Sequence, residues 1–217
     1  MKNELIIGFT SILDFRRDRF EKFSRCDALA VVAFPQKTFS VKDEVKYGSL
    51  SAVLGNVASV CPLVFLLADV DDFGVKRRSV LCFENGAITR IADCNKTLPP
   101  YAPGFGYESF SFGSGEKKLR LGLAVDKDVT DPFCLSVLSS QNDTIIGLST
   151  NFSDFNGLSF TTSAAYLFKT PVCLITKNSA YASKSSGEAI FDKAVPEGII
   201  RLPLSSSFAL YTKKYRI

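Results

Sequence analysis

The segment Leu119–Asp128 joins an apolar run to two carboxylates. Its sequence, LRLGLAVDKD, has leucine or valine at every second position, with Gly122 and Ala124 between them. This pattern predicts a strand over Leu119–Val125 that is buried on both faces. In α/β sheets, ligands bind where such strands end. Asp126 is therefore a candidate site residue, although a carboxylate in this position can also begin a solvated turn.

The residue types that are missing limit the chemistry. The chain has no histidine, which excludes Ser-His-Asp and Cys-His catalysis and histidine-ligated zinc. The six cysteines lie far apart and form no Cys-x-x-Cys pair, so we expect no zinc site. We also expect no other metal site and no cofactor. Most of them lie among apolar residues, as Cys61, Cys82 and Cys173 do, and we interpret these as small core residues.

The charge and hydropathy patterns favour a cytoplasmic protein of ordinary globular composition. The 217 residues carry a net charge of +4, and 46% of them are hydrophobic. The strongest basic cluster is Lys76-Arg77-Arg78, which we interpret as a solvated loop, so we expect no nucleic-acid partner. No apolar stretch approaches the roughly 18 residues of a membrane span, and the N-terminal sequence does not resemble a signal peptide. We therefore expect no membrane partner and a reducing environment.

Strands and helices alternate along the sequence. Apolar runs predict strands over residues 4–9, 28–35, 63–70, 108–112, 119–125, 144–149 and 171–178, with closing strands in EAIFD and EGIIRLPL. Apolar periodicity and capping residues predict helices over residues 14–24, 43–60, 131–140 and 159–168. The clearest local signal is a hairpin over residues 78–93 with Asn85-Gly86 at its turn. The pattern predicts one α/β domain over residues 1–217 with a mixed sheet system.

VVAFPQ lies at the end of a predicted buried strand, NGAITRIADCNKTL runs from the hairpin turn onwards, and RLGLAVDKDVTDP precedes a predicted helix. In this order, the three stretches resemble the nitrilase or carbon–nitrogen hydrolase superfamily. DTIIGLSTNF, SAAYLFKTPVCLITKNSA and SSGEAIFD resemble later segments of the same family. The resemblance implies a four-layer αββα sandwich, in a chain that is somewhat shorter than is usual for the family.

The resemblance also implies three site positions. In this superfamily a Glu is the general base, a Cys attacks the substrate carbon and a Lys stabilises the oxyanion. The matching positions here are Gln36 for the Glu, Lys96 for the Lys and Asp126 for the Cys. Glutamine is not a base at ordinary pH, and a carboxylate is a poor nucleophile towards an amide. Two of the three positions are therefore incompatible with the family mechanism.

The two substitutions compensate each other in charge, because the negative charge moves from the base position to the nucleophile position. A buried lysine without a partner is costly or loses its proton. We therefore hypothesise that Asp126 is the counter-ion of Lys96 and that Gln36 hydrogen-bonds one or both of them.

These changes leave three interpretations open. The favoured one is a carbon–nitrogen hydrolase-like protein that has lost amidase and nitrilase catalysis and acts as a binding or structural module. The alternative is an active hydrolase of an unidentified non-peptide C–N bond in an amide, nitrile or carbamoyl substrate, with Asp126 or a shifted cysteine as nucleophile. The third is an unrelated α/β domain, for which the family register does not apply.

The family also indicates where a ligand and a partner would bind. Its pockets are lined by the loops after the strands, so the pocket candidates here are Tyr101, Phe105, Asn151, Phe152 and Asn178. The expected ligand is a small molecule with an amide or carboxylate group, although aromatic loop residues can also simply pack. Family members usually form homodimers through the helices that match residues 131–140 and 159–168. The apolar stripe of the second helix can equally belong to the core.

Overall fold

The computed structural model describes residues 4–11, 20–32, 38–40, 60–84, 87–112, 119–150 and 156–204. Within these ranges the chain forms two β-sheets, two α-helices and short 3-10 turns at Glu21–Phe23 and Asp126–Thr130. The helices are α1 Pro132–Gln141 and α2 Gly157–Phe168. The strands are β1 Glu4–Thr10, β2 Ala28–Val31, β3 Thr38–Ser40, β4 Leu63–Asp72, β5 Val75–Glu84, β6 Ala87–Asp93, β7 Ser109–Phe112, β8 Leu119–Val125, β9 Thr144–Ser149, β10 Val172–Thr176, β11 Ala180–Ser183, β12 Ala189–Lys193 and β13 Glu197–Pro203.

Both sheets have parallel strands in the middle and antiparallel strands at the sides. In the first sheet the order is β13-β1-β2-β4-β5-β6, and β3 also pairs with β4. Strands β1, β2 and β4 are parallel, whereas β13, β5 and β6 are antiparallel to their neighbours. In the second sheet the order is β12-β11-β10-β9-β8-β7, with β8, β9 and β10 parallel. Parallel pairs bring the carboxyl ends of neighbouring strands to the same edge.

The two sheets face each other across one buried core. Because side chains alternate along a strand, every second residue of each strand points between the sheets. Leu67 on β4 and Leu123 on β8 lie in the same buried cluster. The rings of Phe65 on β4 and Phe110 on β7 meet edge to face, with 5.5 Å between their centroids. This contact joins the first sheet to the second.

Helices α1 and α2 cover the outer face of the second sheet. Leu138 of α1 and Ala165 of α2 are buried together with Ala124 and Ile145 of the sheet. A Cβ atom on Gly122 of β8 would lie 3.1 Å from the Cβ of Leu138 and 3.0 Å from the side-chain nitrogen of Asn142. Glycine at this position therefore allows α1 to approach the strand closely. The two packed sheets, with helices on an outer face, confirm the expected α/β sandwich. Among the described residues, no helix is long and apolar enough to cross a membrane.

Several predicted elements match the structure closely. Strands β8 and β9 have the predicted bounds, and α1 is shifted by one residue from its predicted range. Asp131 caps α1, because its carboxylate accepts the Phe133 N–H at 3.2 Å. The predicted hairpin is confirmed by the antiparallel pairing of β5 with β6. Its turn residues, almost all of the predicted helix over 43–60 and most of that over 14–24 lie outside the described residues.

A second hairpin was not predicted. Strands β4 and β5 pair antiparallel along their whole length, and the two-residue turn between them is Phe73-Gly74. Both turn residues have positive φ angles, 54° and 89°, as a tight hairpin turn of this kind requires. The interpretation of residues 76–78 as a solvated loop is therefore wrong, because these residues form part of β5. Arg77 is only 8% exposed.

Candidate functional site

Asp126 stands at a sharp turn directly after β8. Its φ angle is 50°, which places it in the left-handed region that non-glycine residues seldom occupy, although Asp is one of the better tolerated. Side-chain alternation alone would direct Asp126 to the same face as Ala124, towards α1. The turn instead brings its carboxylate to β5 of the other sheet, in a buried position.

Arg78 on β5 is the cation that pairs with Asp126. Its Nη1 lies 3.2 Å from Asp126 Oδ2 and donates to Thr150 Oγ1 at 2.8 Å. Its Nε forms an ion pair with Asp69 Oδ1 on β4. Its Nη2 donates at 3.1 Å to the Tyr101 hydroxyl, which in turn donates to Asp69 Oδ2 at 2.8 Å. We call these five residues the Arg78 network.

The Arg78 network holds its charges in a buried place. The side chains of Arg78, Asp69 and Asp126 are only 12%, 11% and 10% exposed. Burial acts to lower the pKa of Arg78. The hydrogen bond and charge of Asp69 and the charge of Asp126 outweigh that effect, so the pKa is raised above its ordinary value. The guanidinium is therefore a fixed positive charge between two carboxylates.

The second oxygen of Asp126 is also hydrogen-bonded. Ser149 Oγ donates to Oδ1 at 3.0 Å, and the Thr150 N–H approaches the same oxygen at 3.4 Å. Ser149 ends β9, the strand beside β8, so two neighbouring strand ends converge on this carboxylate. To attack a substrate, Asp126 would have to give up an ion pair and hydrogen bonds that stabilise its charge.

Lys96 has a different partner from the one predicted. Its Nζ lies 2.8 Å from Asp131 Oδ1 at the start of α1, and its side chain is 58% exposed. The structure thus pairs Lys96 with Asp131 and Asp126 with Arg78, which corrects the predicted ion pair between Lys96 and Asp126. The reason lies in the backbone, because the N–H groups of Asn95 and Lys96 both donate to Asp128 at 2.7 Å. Asp128 thereby fixes the loop after β6.

Asp128 and Asp131 respond to their surroundings in opposite directions. Burial raises the pKa of Asp128, and the N–H donors of Asn95 and Lys96 only partly offset it. Burial also acts to raise the pKa of Asp131, but the hydrogen bond from Lys96, the Phe133 N–H and the charge of Lys96 lower it overall. Among the described residues, no group of three or more His, Cys, Asp or Glu side chains is arranged to hold a metal ion.

A groove of about 550 Å³ lies beside the Arg78 network. It is lined by Asn95, Lys96, Thr97, Leu98, Pro99, Tyr101, Pro103 and Lys127. Tyr101 belongs to both structures, because it lines the groove and its hydroxyl bonds Arg78 and Asp69. Lys127 directly follows Asp126, so the groove reaches the end of β8. The groove combines apolar side chains with two ammonium groups, a composition that suits a small ligand.

The other predicted pocket residues lie elsewhere or are not described. Phe105 is 90% exposed and contacts Arg77. Asn178 is exposed in the turn between β10 and β11. Neither lines the groove. Gln36, Asn151 and Phe152 lie outside the described residues.

None of the six cysteines resembles an activated nucleophile. All of them are buried and free of disulfides. Burial raises the pKa of Cys94 to about 11, with a further contribution from the charge of Asp128. Burial also raises the pKa of Cys134, which lies inside α1. The thiol group needs to lose its proton to react, so these cysteines are poor nucleophiles near neutral pH.

Sequence reasoning missed Arg78 and Asp69. A signal was present, because Leu63, Phe65 and Leu67 of β4 point between the sheets and the next residue in that alternation is Asp69. On β5, Cys82 and Val80 also point between the sheets, and the next position is Arg78. A polar residue that continues an inward-facing apolar alternation is expected to have a buried partner.

Comparisons with known proteins identify the fold. No protein-family model and no curated protein matches the sequence.

Solved structures do match. The Nesterenkonia AN1 amidase from the nitrilase superfamily, in a mutant form, has a TM-score of 0.71 at 12% identity, covering 99% of this chain and 96% of that one. Nit3 of Saccharomyces cerevisiae, a member of branch 10 of the nitrilase superfamily, has a TM-score of 0.69 at 12% identity. The match covers 99% of this chain and 95% of that one. A carbon–nitrogen hydrolase from Helicobacter pylori G27 has a TM-score of 0.70 at 12% identity, and the match covers 97% of this chain and 93% of that one. The chain therefore has the fold of the nitrilase superfamily over nearly its whole length.

Proposed function

We propose that this chain is a divergent carbon–nitrogen hydrolase-like protein that binds a small ligand and does not hydrolyse it. The observation that carries the proposal is the state of Asp126. This residue occupies the position that the resemblance assigns to the nucleophilic cysteine. Its carboxylate is paired with Arg78 and hydrogen-bonded to Ser149, and so serves as a structural anion.

The cysteines give independent support. A displaced cysteine could replace the missing nucleophile only if its thiolate formed near neutral pH. The two cysteines nearest the site in sequence, Cys94 and Cys134, are 2% and 0% exposed. Burial raises the pKa of both. Neither has the exposure of a reactive thiol, and at Cys134 the charges of Asp128 and Asp131 outweigh that of Lys96.

We place the ligand in the groove beside Tyr101. A carboxylate or amide group suits the ammonium group of Lys127, because that of Lys96 is already paired with Asp131, and Leu98 and Tyr101 provide apolar contact. The same mutant of the Nesterenkonia amidase has also been solved in complex with butyramide. That structure has a TM-score of 0.69 at 11% identity, and the match covers 99% of this chain and 98% of that one. Butyramide and butyrate are therefore suitable probes.

The proposal includes a homodimer in the cytoplasm. Phe133 on α1 and Tyr166 and Leu167 on α2 are 67%, 61% and 70% exposed. These exposed apolar side chains lie on the two helices that match the family's dimer helices, and exposed apolar side chains of this kind favour an interface with a second copy. The free cysteines favour a reducing compartment.

The first experiment measures ammonia release from a panel of amides and nitriles that includes butyramide. We expect no release above the buffer rate from the unmodified protein. The alternative, an active hydrolase, predicts release that disappears in Asp126→Asn and Lys96→Met. It also predicts that release persists in Asp192→Asn, a matched change at an exposed residue of β12. That result would overturn the proposal.

The second experiment measures binding in the groove by titration calorimetry or NMR. We expect butyrate to bind with a Kd on the order of 1 mM, because a ligand of so few atoms gains little binding energy. Lys127→Met should weaken butyrate binding, whereas the matched change Lys193→Met, at an exposed position of β12, should not. If neither butyrate nor butyramide binds, the groove is not the ligand site and the chain is better described as a structural module.

A further inference from the structure

Arg77 has a hydrogen-bonding edge that the Arg78 network and the groove do not use. It precedes Arg78 on β5, so its side chain points to the opposite face of the first sheet. It is 8% exposed. Its Nη1 donates to the Pro103 carbonyl, and its buried Nε has no hydrogen-bond partner.

Arg77 forms no ion pair within the described part of the chain, where the carboxylates that do form ion pairs are bound to other cations. Asp71, at the β4–β5 turn, accepts the Gly74 N–H at 2.7 Å. Asp93, on neighbouring β6, accepts a hydrogen bond from Ser79 at 2.5 Å. A buried cation that lacks an anion, and a buried donor that lacks an acceptor, both cost free energy until a partner arrives.

Phe105 compensates for only part of this cost. Its ring centroid lies 4.6 Å from the Cζ of Arg77, within range of a cation–π contact. Phe105 nevertheless remains 90% exposed, so it buries little area in this position. Its movement away from the guanidinium would therefore lose little stability, and its ring could also pack against a bound molecule.

We propose that Arg77 is an anion-binding site that takes a carboxylate or phosphate oxyanion. The Nε–H and one terminal N–H of a guanidinium point in the same direction and match two oxygens of such an anion. The contact with Pro103 uses Nη1, which leaves the Nε donor for the ligand. An oxyanion there would satisfy the buried donor and neutralise the buried charge at the same time. This proposal does not rest on the groove ligand, although Pro103, which accepts the hydrogen bond from Arg77, also lines the groove.

The test follows the Nε–H signal of Arg77 in ¹⁵N NMR spectra during titration with inorganic phosphate and, separately, with acetate at constant ionic strength. The signal is assigned by its absence in Arg77→Lys, which keeps the positive charge and removes the planar fork. Thermal unfolding is measured in parallel on the unmodified protein, Arg77→Lys and Arg25→Gln. Arg25 is an exposed arginine that controls for the loss of a surface charge.

We expect a saturable shift of the Nε–H signal in the millimolar range with at least one of the two anions. The same anion should raise the Tm of the unmodified protein and of Arg25→Gln. Arg77→Lys should bind that anion at least about tenfold more weakly. A signal that does not move with either anion would overturn the proposal and would indicate that Nε bonds water. An equal gain in Tm in Arg77→Lys would overturn it as well, because the anion would then bind elsewhere.

Discussion

Arg78 and Asp126 join the two sheets of the sandwich, with Nη1 of Arg78 on β5 lying 3.2 Å from Oδ2 of Asp126 after β8. The two residues are 48 positions apart in sequence. Each is also bonded within its own sheet, Arg78 to Asp69 on β4 and Asp126 to Ser149 on β9. The pair thus fixes four strand segments relative to one another.

Removing the cation should destabilise the fold strongly. We expect Arg78→Met to lower the free energy of unfolding by about 3–5 kcal/mol, because Asp69 and Asp126 would remain buried without a positive charge. Chemical denaturation measures the change. Arg120→Met, at an exposed position of β8, is the control and should stay within about 0.5 kcal/mol. A loss below about 1 kcal/mol for Arg78→Met would contradict the importance of the ion pairs.

The left-handed backbone at Asp126 predicts a difference between two neutral substitutions. Asp126→Asn and Asp126→Val both remove the charge, but asparagine tolerates a φ of 50° and a β-branched residue does not. We expect Asp126→Val to be less stable than Asp126→Asn by about 1–2 kcal/mol. Thermal and chemical unfolding of the two variants measure this difference. Equal stabilities would argue against a left-handed turn at this position.

The pair of Lys96 and Asp131 predicts a pH dependence. The pKa of Asp131 is lowered in the folded protein, so its contribution to stability is complete above the ordinary aspartate pKa of about 4 and is lost as the pH falls through the lower folded-state pKa. We expect Lys96→Met to cost at most about 1 kcal/mol at pH 7, because water screens a side chain that is 58% exposed.

The measurement is denaturation of the unmodified protein and Lys96→Met from neutral to acidic pH. The difference between them should shrink towards zero as Asp131 becomes protonated. A difference that stays constant across the acidic range would mean that Lys96 acts through packing and not through its charge.

The thiols should be unreactive in the native state. Burial raises the pKa of Cys26 to about 11 and of Cys61, Cys82 and Cys173 to about 12. We expect a thiol reagent at neutral pH to modify none of the six cysteines rapidly in the folded protein and all six after unfolding in guanidinium. Mass spectrometry identifies any modified residue. A single cysteine that reacts within seconds in the native protein would favour the alternative of a shifted nucleophile.

The exposed apolar side chains on α1 and α2 predict dimerisation. We expect light scattering to give the mass of two chains for the unmodified protein and of one chain for Leu167→Glu, because a buried unpaired carboxylate would oppose association. Ile199→Glu makes the same type of change on β13, where Ile199 is 39% exposed, and should leave the dimer intact. A monomeric unmodified protein at micromolar concentration would remove the dimer from the proposal.

The fold could be predicted from sequence largely because apolar alternation is a local signal. Strands β8 and β9 and the capped helix α1 depend on residues that are neighbours in sequence. The resemblance then supplied the arrangement of the elements, which the solved structures confirm. The extent of the domain over residues 1–217 stays a prediction.

The electrostatics of the site could not be predicted in the same way. Whether Arg78 is solvated or buried depends on Asp126 and Thr150, which lie far along the chain. The partner of Lys96 depends on the two backbone N–H groups held by Asp128. Charge counting predicted that Lys96 needs a counter-ion and assigned Asp126 to it, whereas the structure pairs Lys96 with Asp131 and Asp126 with Arg78.

The turn at Phe73-Gly74 determines which arginine enters the sandwich. Arg77 and Arg78 are consecutive on β5, and the pairing of Asp69 with Arg78 is counted from this two-residue turn. Inserting one residue there would shift β5 by one position along β4 and would exchange the faces of the two arginines. Arg77 would then face the buried carboxylates, and Lys76 would take the position on the outer face that Arg77 now holds. The length of this turn therefore decides which side chain supplies the positive charge on each face of the sheet.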